Sequence, residues 1–290
     1  MDRGILALII CALLVFGCAS QQTKGAGDGT QAQKSKNLKI TGSDTMVILG
    51  QAWAEKYMEL NQDKGVSVSG GGSGVGITAM IDGTTDITQA SRDMKASEID
   101  QARAKGVNPV KTIVAYDGIA IIVNPDNPID QLTISQVGEI FKGNIKNWKE
   151  VGGKDGPVGI YSRESSSGTY EFMKEHVLAK ADYASNAKYS SGNAAIVESV
   201  SQDKTAIGYV GVAYAKQRND VKILKISKDD KSAGYTPTKE TVKSGTYPIS
   251  RSLNFYTNGE PSGEVKAFTD FVLGEEGQNI TEEIGYFKVN

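Results

Sequence analysis

From residue 37 onward the apolar positions switch repeatedly between the alternating pattern of strands and the three-to-four-residue spacing of helices. "LKITGS" (38–43) reads as a strand, and in "DTMVILGQAWAEKYMEL" (44–60) Met46, Leu49, Trp53, Tyr57 and Leu60 share one helical face. "VSVSG" (66–70) predicts a second strand, and "GITAMIDG" (76–83) a short helix stopped by glycine. "TDITQAS" (85–91) predicts a third strand, followed by a polar helix in "KASEIDQARAKG" (95–106). This β-α-β-α-β order predicts an α/β sheet with ligand sites at the C-terminal ends of its strands. "KTIVAYDGIAIIVN" (111–124) is a long β-branched stretch, either one strand or two strands crossing between lobes.

A second α/β set follows in "TISQVGEIFKG", "PVGIYS", "TYEFMKEHVLAK", "AAIVESVSQ" and "AIGYVGVAYA". "TYPISRSLNFYTN" (246–258) is again extended, and "GEVKAFTDFVLG" (263–274) predicts a closing helix. Two α/β halves joined by long extended segments predict a hinged protein. Residues 37–113 with 251–290 are expected to form lobe one, and residues 114–250 lobe two.

The front end has a different pattern. Ile5 to Phe16 is an apolar run too short to span a bilayer and of the length of a secretory core segment. It closes on Val15-Phe16-Gly17-Cys18, which resembles a bacterial lipobox with Cys18 as the lipidated residue. Residues 1–18 are therefore expected to be a lipoprotein signal peptide, and residues 19–36, which lack large apolar side chains, a flexible tether. The expected location is the outer face of a bacterial membrane, by lipid anchor.

Composition narrows the chemistry. The chain has two cysteines, Cys11 and Cys18, both in the front segment, and one histidine, His176. The body thus has no thiol for a disulfide or a nucleophile, and a multi-histidine metal site is excluded, so no metal or cofactor is expected. A net charge of −2 gives no basic field for nucleic acid.

Three strand-to-helix junctions share one chemistry: Thr41-Gly42-Ser43-Asp44-Thr45, Gly70-Gly71-Gly72-Ser73-Gly74 and Ser165-Ser166-Ser167-Gly168-Thr169. The first N–H groups of a helix lack internal partners and carry the positive end of its dipole, so they attract anions. Ser and Thr add hydroxyl donors, and glycine lets the backbone approach. Arg163 supplies a planar fork suited to an oxyanion. Ser, Thr and Asp are also ordinary helix caps, so each junction alone could be structural. Two other motifs are weaker. Gly74-Val75-Gly76-Ile77-Thr78-Ala79 matches a loose dinucleotide pattern but follows the second strand, and Ser201-Gln202-Asp203-Lys204 matches S-x-x-K with its companion elements out of order. His176 is assigned no role.

"ITGSDTM", "GGGSGVGI", "DITQASRDM", "RESSSGTYEF" and "AIGYVGVAY", in that order, resemble the phosphate-binding proteins of the bacterial high-affinity phosphate ABC importer. The resemblance covers nearly all of residues 38–290. It implies a two-lobed periplasmic-binding-protein fold, type II-like, that closes on inorganic phosphate and docks on membrane permease subunits as a monomer, without enzymatic activity. By carry-over, Ser43, Thr45 and the backbone N–H near Met46 bind from the first junction, Ser73 from the second, and Arg163, Ser167, Gly168 and Thr169 from the third. Many members place an aspartate directly after the serine of the third-strand motif, whereas Ser91 here is followed by Arg92 and then Asp93. Either Asp93 shifts into the site and accepts a ligand proton, or Arg92 occupies it and donates. The same fold for sulfate, molybdate or a phosphonate, and a lipid-anchored surface sensor or adhesin, are the alternatives.

Overall fold

The computed structural model describes residues 37–289; the expected signal segment, Cys18 and the tether lie outside the described residues. The chain opens with β1 (Leu38–Gly42), α1 (Val47–Leu60), β2 (Val66–Ser69), α2 (Ser73–Ile81), β3 (Ile87–Ala90), α3 (Ala96–Ala104) and the long β4 (Pro109–Val123). Next come β5 (Gln131–Thr133), α4 (Ile134–Phe141), β6 (Gly159–Arg163), α5 (Gly168–His176), β7 (Lys188–Ser190), α6 (Asn193–Gln202) and β8 (Ala206–Gly211). The chain closes with β9 (Lys222–Ile223), β10 (Lys225–Ser227), α7 (Lys239–Lys243), β11 (Ser250–Asn258), α8 (Gly263–Leu273) and α9 (Glu275–Ile284).

The architecture is α/β. Strands run in the order β2-β1-β3-β11-β4-β8-β6-β7, with β9 also on β4, while β10 and β5 form a separate pair. β1 is parallel to β2 and β3, so the three strands end at one edge and deliver their following loops to it. β6 is parallel to β7 and β8 and does the same in the second half.

The stretch left open in the sequence is one strand with two sets of partners. From Pro109 to Gly118, β4 pairs with β11; from Ile119 to Val123 it pairs with β8. The return crossing is tied to the same point: the Ile119 N–H donates to Ile249 O (2.8 Å), and Tyr247 OH donates to Ile119 O (2.6 Å). Gly118 is needed there, because a Cβ would press on Pro237 and come within 3.2 Å of Val242. Two adjacent extended segments therefore connect the lobes.

Helix α1 buries Leu49, Trp53 and Tyr57 as its spacing predicts, but Leu60 is 57% exposed. It is the last helical residue, and the chain turns at Asn61, whose side chain donates to Tyr57 O (2.8 Å), toward β2. Trp53 packs edge-on against Phe255 and donates its indole N–H to Gly277 O (2.8 Å). That acceptor lies on α9, an element the sequence pattern missed because "EEGQNITEEI" is dominated by acidic positions. In the second lobe α6 lays Ile196, Val197 and Val200 against Ala120, Ile122 and Val210. The run Ile119–Val123 is wholly buried, as expected for a strand covered on both faces.

Candidate functional site

The loops after β1, β2, β3 and β6 meet. Ser43 Oγ donates to Ser91 Oγ (2.8 Å), Ser73 Oγ lies 3.4 Å from Ser91 Oγ, and the Ser91 N–H donates to Ser73 Oγ (3.1 Å). From the facing lobe, Thr169 Oγ1 comes within 2.9 Å of Thr45 Oγ1. All five hydroxyl residues are buried. Ser167 accepts from the N–H groups of Thr169 and Tyr170, so its Oγ caps α5, and the Met46 N–H donates to Ser43 O. Gly168 sits against the opposite lobe so closely that a Cβ would press on Ser73 Oγ and approach Ser91 Oγ to 2.7 Å.

Arg163 ends β6 and is 1% exposed. Its backbone N–H donates to Tyr209 OH, and its Nη2 donates to Asp44 Oδ2 in the other lobe (2.7 Å). Asp44 Oδ1 meanwhile takes the Gly71 N–H (2.7 Å), so the second junction is braced by the first. Burial pulls the guanidinium down from its ordinary value while Asp44 opposes this, and an arginine stays charged. Nε and Nη1 of Arg163 are buried with no hydrogen-bond partner among the described residues. Buried donors are almost always paired, and leaving one unpaired costs about 1–3 kcal/mol. A buried fork with one arm on Asp44, which lies between Ser43 and Thr45 in the chain, and its Nε and Nη1 unpaired fits a small oxyanion.

The third-strand motif splits. Ser91 lies in the hydroxyl cluster, but neither charged residue after it does. Arg92 is committed to a two-pronged pair with Glu98 (2.8 and 2.7 Å). Burial alone would raise the Glu98 carboxyl; the bonds from Arg92 and the Lys95 N–H outweigh it and hold the carboxyl below its usual range. The Asp93 side chain is 70% exposed and pairs with Lys111. Solvent and an exposed lysine stabilise that carboxylate, whereas the hydroxyl cluster would have to desolvate it.

Two functional-looking residues escaped the sequence reading. Arg251, on β11, stands directly opposite Asp117 on β4. Its Nη2 donates to Asp117 Oδ2 (2.8 Å) and to Thr169 Oγ1 (3.0 Å), and its Nη1 donates to Ser91 O (2.9 Å). Asp117 is fully buried; burial pushes its carboxyl up, opposed by Arg251 and the Val212 N–H. The available signal was one arginine and one aspartate, each isolated within an apolar extended run, since unpaired charges are rarely buried.

The weaker motifs have other uses. Gly74 donates its N–H to Ser166 O (3.0 Å) across the lobes, Ser201 donates to Glu198 O on an exposed face, and the His176 ring packs against Phe172 at a tilt, centroids 4.3 Å apart. No helix among the described residues is long and apolar enough to cross a membrane.

Comparison with known proteins gives a consistent pattern. The profile of the PBP superfamily domain matches residues 22–276. The chain is 35% identical to the phosphate-binding protein PstS of Pseudomonas aeruginosa over 87% of its length and 83% of that protein. It is 33% identical to the PstS of Bacillus subtilis, covering 99% and 94%. Among solved structures, a Clostridium perfringens protein with bound phosphate superposes with a TM-score of 0.78 at 32% identity, covering 88% of this chain and all of that one. An ABC-type phosphate transport receptor from Vibrio cholerae gives 0.71 at 30% identity, covering 87% and 99%. The two-lobed binding-protein architecture is thus shared.

Proposed function

We propose, since the chain belongs to the PstS family of phosphate-binding proteins within the PBP superfamily, that it captures inorganic phosphate between its lobes and delivers it to an ABC importer. The observation that carries this reading is Arg163, whose buried Nε and Nη1 have no partner among the described residues and whose Nη2 reaches across to Asp44, which stands between Ser43 and Thr45 in the chain. Thr45, Ser73, Ser91, Ser167, Gly168 and Thr169 surround the anion with donors, and Ser43 braces Ser91. Binding requires the lobes to meet, because Arg163 and Thr169 lie on one and Asp44, Thr45 and Ser73 on the other. A ligand touching both favours the closed state by its differential affinity, which is hinge closure. Tyr214 reinforces that state by donating its OH to Asp44 O (2.8 Å). Its phenol is pushed up to about 12, chiefly by burial, and stays a donor at neutral pH.

No general acid, base or nucleophile is required, and we read the protein as a receptor without catalysis. Export with a lipid on Cys18, docking on permease subunits and a monomeric state belong to the same proposal. Titration calorimetry tests it: phosphate should bind the soluble body one-to-one, and absence of binding would reject the reading. Asp93→Asn is expected to leave phosphate-over-sulfate preference unchanged, because that carboxylate is held by Lys111 in solvent. A collapse of the preference in the competition titration would put Asp93 in the site after all.

A rim contact should affect release. Lys95, at the start of α3, pairs with Glu171 in the first turn of α5 (2.8 Å), across the cleft. Such partly exposed pairs contribute about 0.2–1 kcal/mol and are screened by salt. Glu171→Gln is expected to speed phosphate release roughly two- to fivefold at low salt and hardly at all at high salt. Stopped-flow release at two ionic strengths checks this.

A further inference from the structure

The passage from β7 into α6, Ser190-Ser191-Gly192-Asn193, has the composition of the three junctions already described, hydroxyls and glycine ahead of a helix. It also lies beside the third of them. In the sheet β6 stands between β8 and β7, and Ser190, the last residue of β7, is the register partner of Arg163 at the end of β6. From there the chain crosses to β8, where Asn193 Oδ1 accepts the Gly211 N–H (3.2 Å). Asn193 thus links the ends of the two strands that flank Arg163. Tyr161 of β6 packs with Ile196, Val197 and Val200 of α6, and side chains two apart on a strand share a face. Arg163 therefore leaves β6 on the side that α6 covers. Gly211 in turn touches the facing lobe, since a Cβ there would come within 2.8 Å of Thr45 Cγ2.

A helix start by itself needs no ligand, but a buried donor with nothing to donate to does. Asn193 is 1% exposed. The Gly211 N–H requires the amide oxygen, so Nδ2 is free only to donate, and it has no hydrogen-bond partner among the described residues. Nε and Nη1 of Arg163 are in the same condition. The start of α6 adds the positive end of a helix dipole, which repels a guanidinium. Three buried nitrogens that can only donate cannot satisfy one another. An anion satisfies all three and offsets the dipole. We propose that Asn193 is a further anion-binding residue of the cleft, donating from Nδ2 to the captured oxyanion at the start of α6. This rests on the phosphate reading above and extends its shell to a fourth helix.

The contact is preorganised. Two successive N–H groups at the end of β8 are held by side chains, Gly211 by Asn193 and Val212 by Asp117 Oδ1 (3.1 Å). The amide is thereby fixed at the strand end with little freedom left to lose on binding. Asn193 and Arg163 also belong to the same lobe, so this pair can engage the anion before the facing hydroxyls arrive. An amide adds a donor without adding charge. That leaves the Arg163–Asp44 pair as the balance of charge across the cleft.

Two measurements test the assignment. In crystals of the wild-type protein grown with phosphate, Asn193 Nδ2 is expected within about 3.2 Å of a phosphate oxygen. Calorimetry then compares phosphate affinity in wild type, Asn193→Asp and Asn193→Ala, with thermal unfolding in the absence of phosphate to show that each variant is folded. Asn193→Asp keeps an oxygen for the Gly211 N–H but sets a carboxylate where Nδ2 stood, and affinity is expected to fall at least about a hundredfold. Asn193→Ala removes the donor without adding charge and is expected to lose about tenfold or more. Wild-type affinity in both variants makes Asn193 a brace for Gly211 and overturns the proposal. A loss in Asn193→Asp alone is repulsion through space and overturns it too. An Nδ2 farther than about 3.5 Å from every phosphate oxygen overturns it even if neither variant folds. Wild type that binds no phosphate at all instead rejects the underlying reading.

Discussion

Arg163→Ala is expected to weaken phosphate binding by roughly two to four orders of magnitude while leaving the fold intact. Removing one side of a buried charged pair costs about 2–5 kcal/mol, and here two losses combine. The ligand loses a guanidinium whose Nε and Nη1 are committed to nothing else among the described residues. Asp44, released from its 2.7 Å bond to Nη2, then presents an unbalanced carboxylate to an incoming dianion. Repulsion adds to lost attraction. The fold should survive, because the Asp44 side chain is 23% exposed and can be hydrated once its partner is gone. Calorimetry with phosphate, alongside thermal unfolding without it, checks both halves. Arg163→Lys separates charge from shape: it keeps one positive charge but cannot hold Asp44 and the ligand in one plane, so it should recover only part of the loss. Unchanged affinity in Arg163→Ala would remove Arg163 from the site.

Gly168→Ala is the second change with a large expected effect, and its two consequences have opposite signs. Gly168 opens α5, where alanine is intrinsically favoured by up to about 1 kcal/mol, so the open protein should be as stable as wild type or slightly more so. In the closed protein the new Cβ would press on Ser73 Oγ and sit 2.9 Å from Ser73 Cβ and 2.7 Å from Ser91 Oγ. A hydroxyl can rotate aside, but Ser73 Cβ is rigidly attached to the start of α2, so the lobes themselves must separate. Overpacking of this kind costs about 1–3 kcal/mol, and the separation also draws Thr169 away from Thr45. Phosphate affinity is expected to drop at least about tenfold. The contraction on ligand addition seen by small-angle scattering should shrink with it. Full closure with wild-type affinity would show that the Gly168–Ser73 contact is not part of the bound state.

These two variants sit at different distances from what the residue pattern can show. Ser43, Thr45, Ser73 and Thr169 were legible because each lies where a strand-like run gives way to a helical one, and helix starts carry unpaired N–H groups whatever surrounds them; Arg163 was legible as the charged end of the strand just before the third of these junctions. Nothing in "SSSGTYEF" says that Gly168 must be small to admit Ser73, a residue from the other lobe. The adjacency of Ser91, Arg92 and Asp93 was legible, but not which of them faces the cleft. Glu98 and Lys111 decided that, by claiming the two charged side chains. Arg251 and Asp117 stayed hidden because their meaning depends on cross-strand register.

Local pattern by itself determined the alternation of strands and helices, the existence of two α/β halves, and the absence of thiol chemistry in the body, because each depends on residue type and near-neighbour spacing. Tertiary structure alone decided that one strand serves both halves, that hydroxyls far apart in the chain meet, and that a second guanidinium stands behind them. Those facts depend on which distant residues claim the same hydrogen bonds, and competition of that kind exists only once the chain has closed on itself.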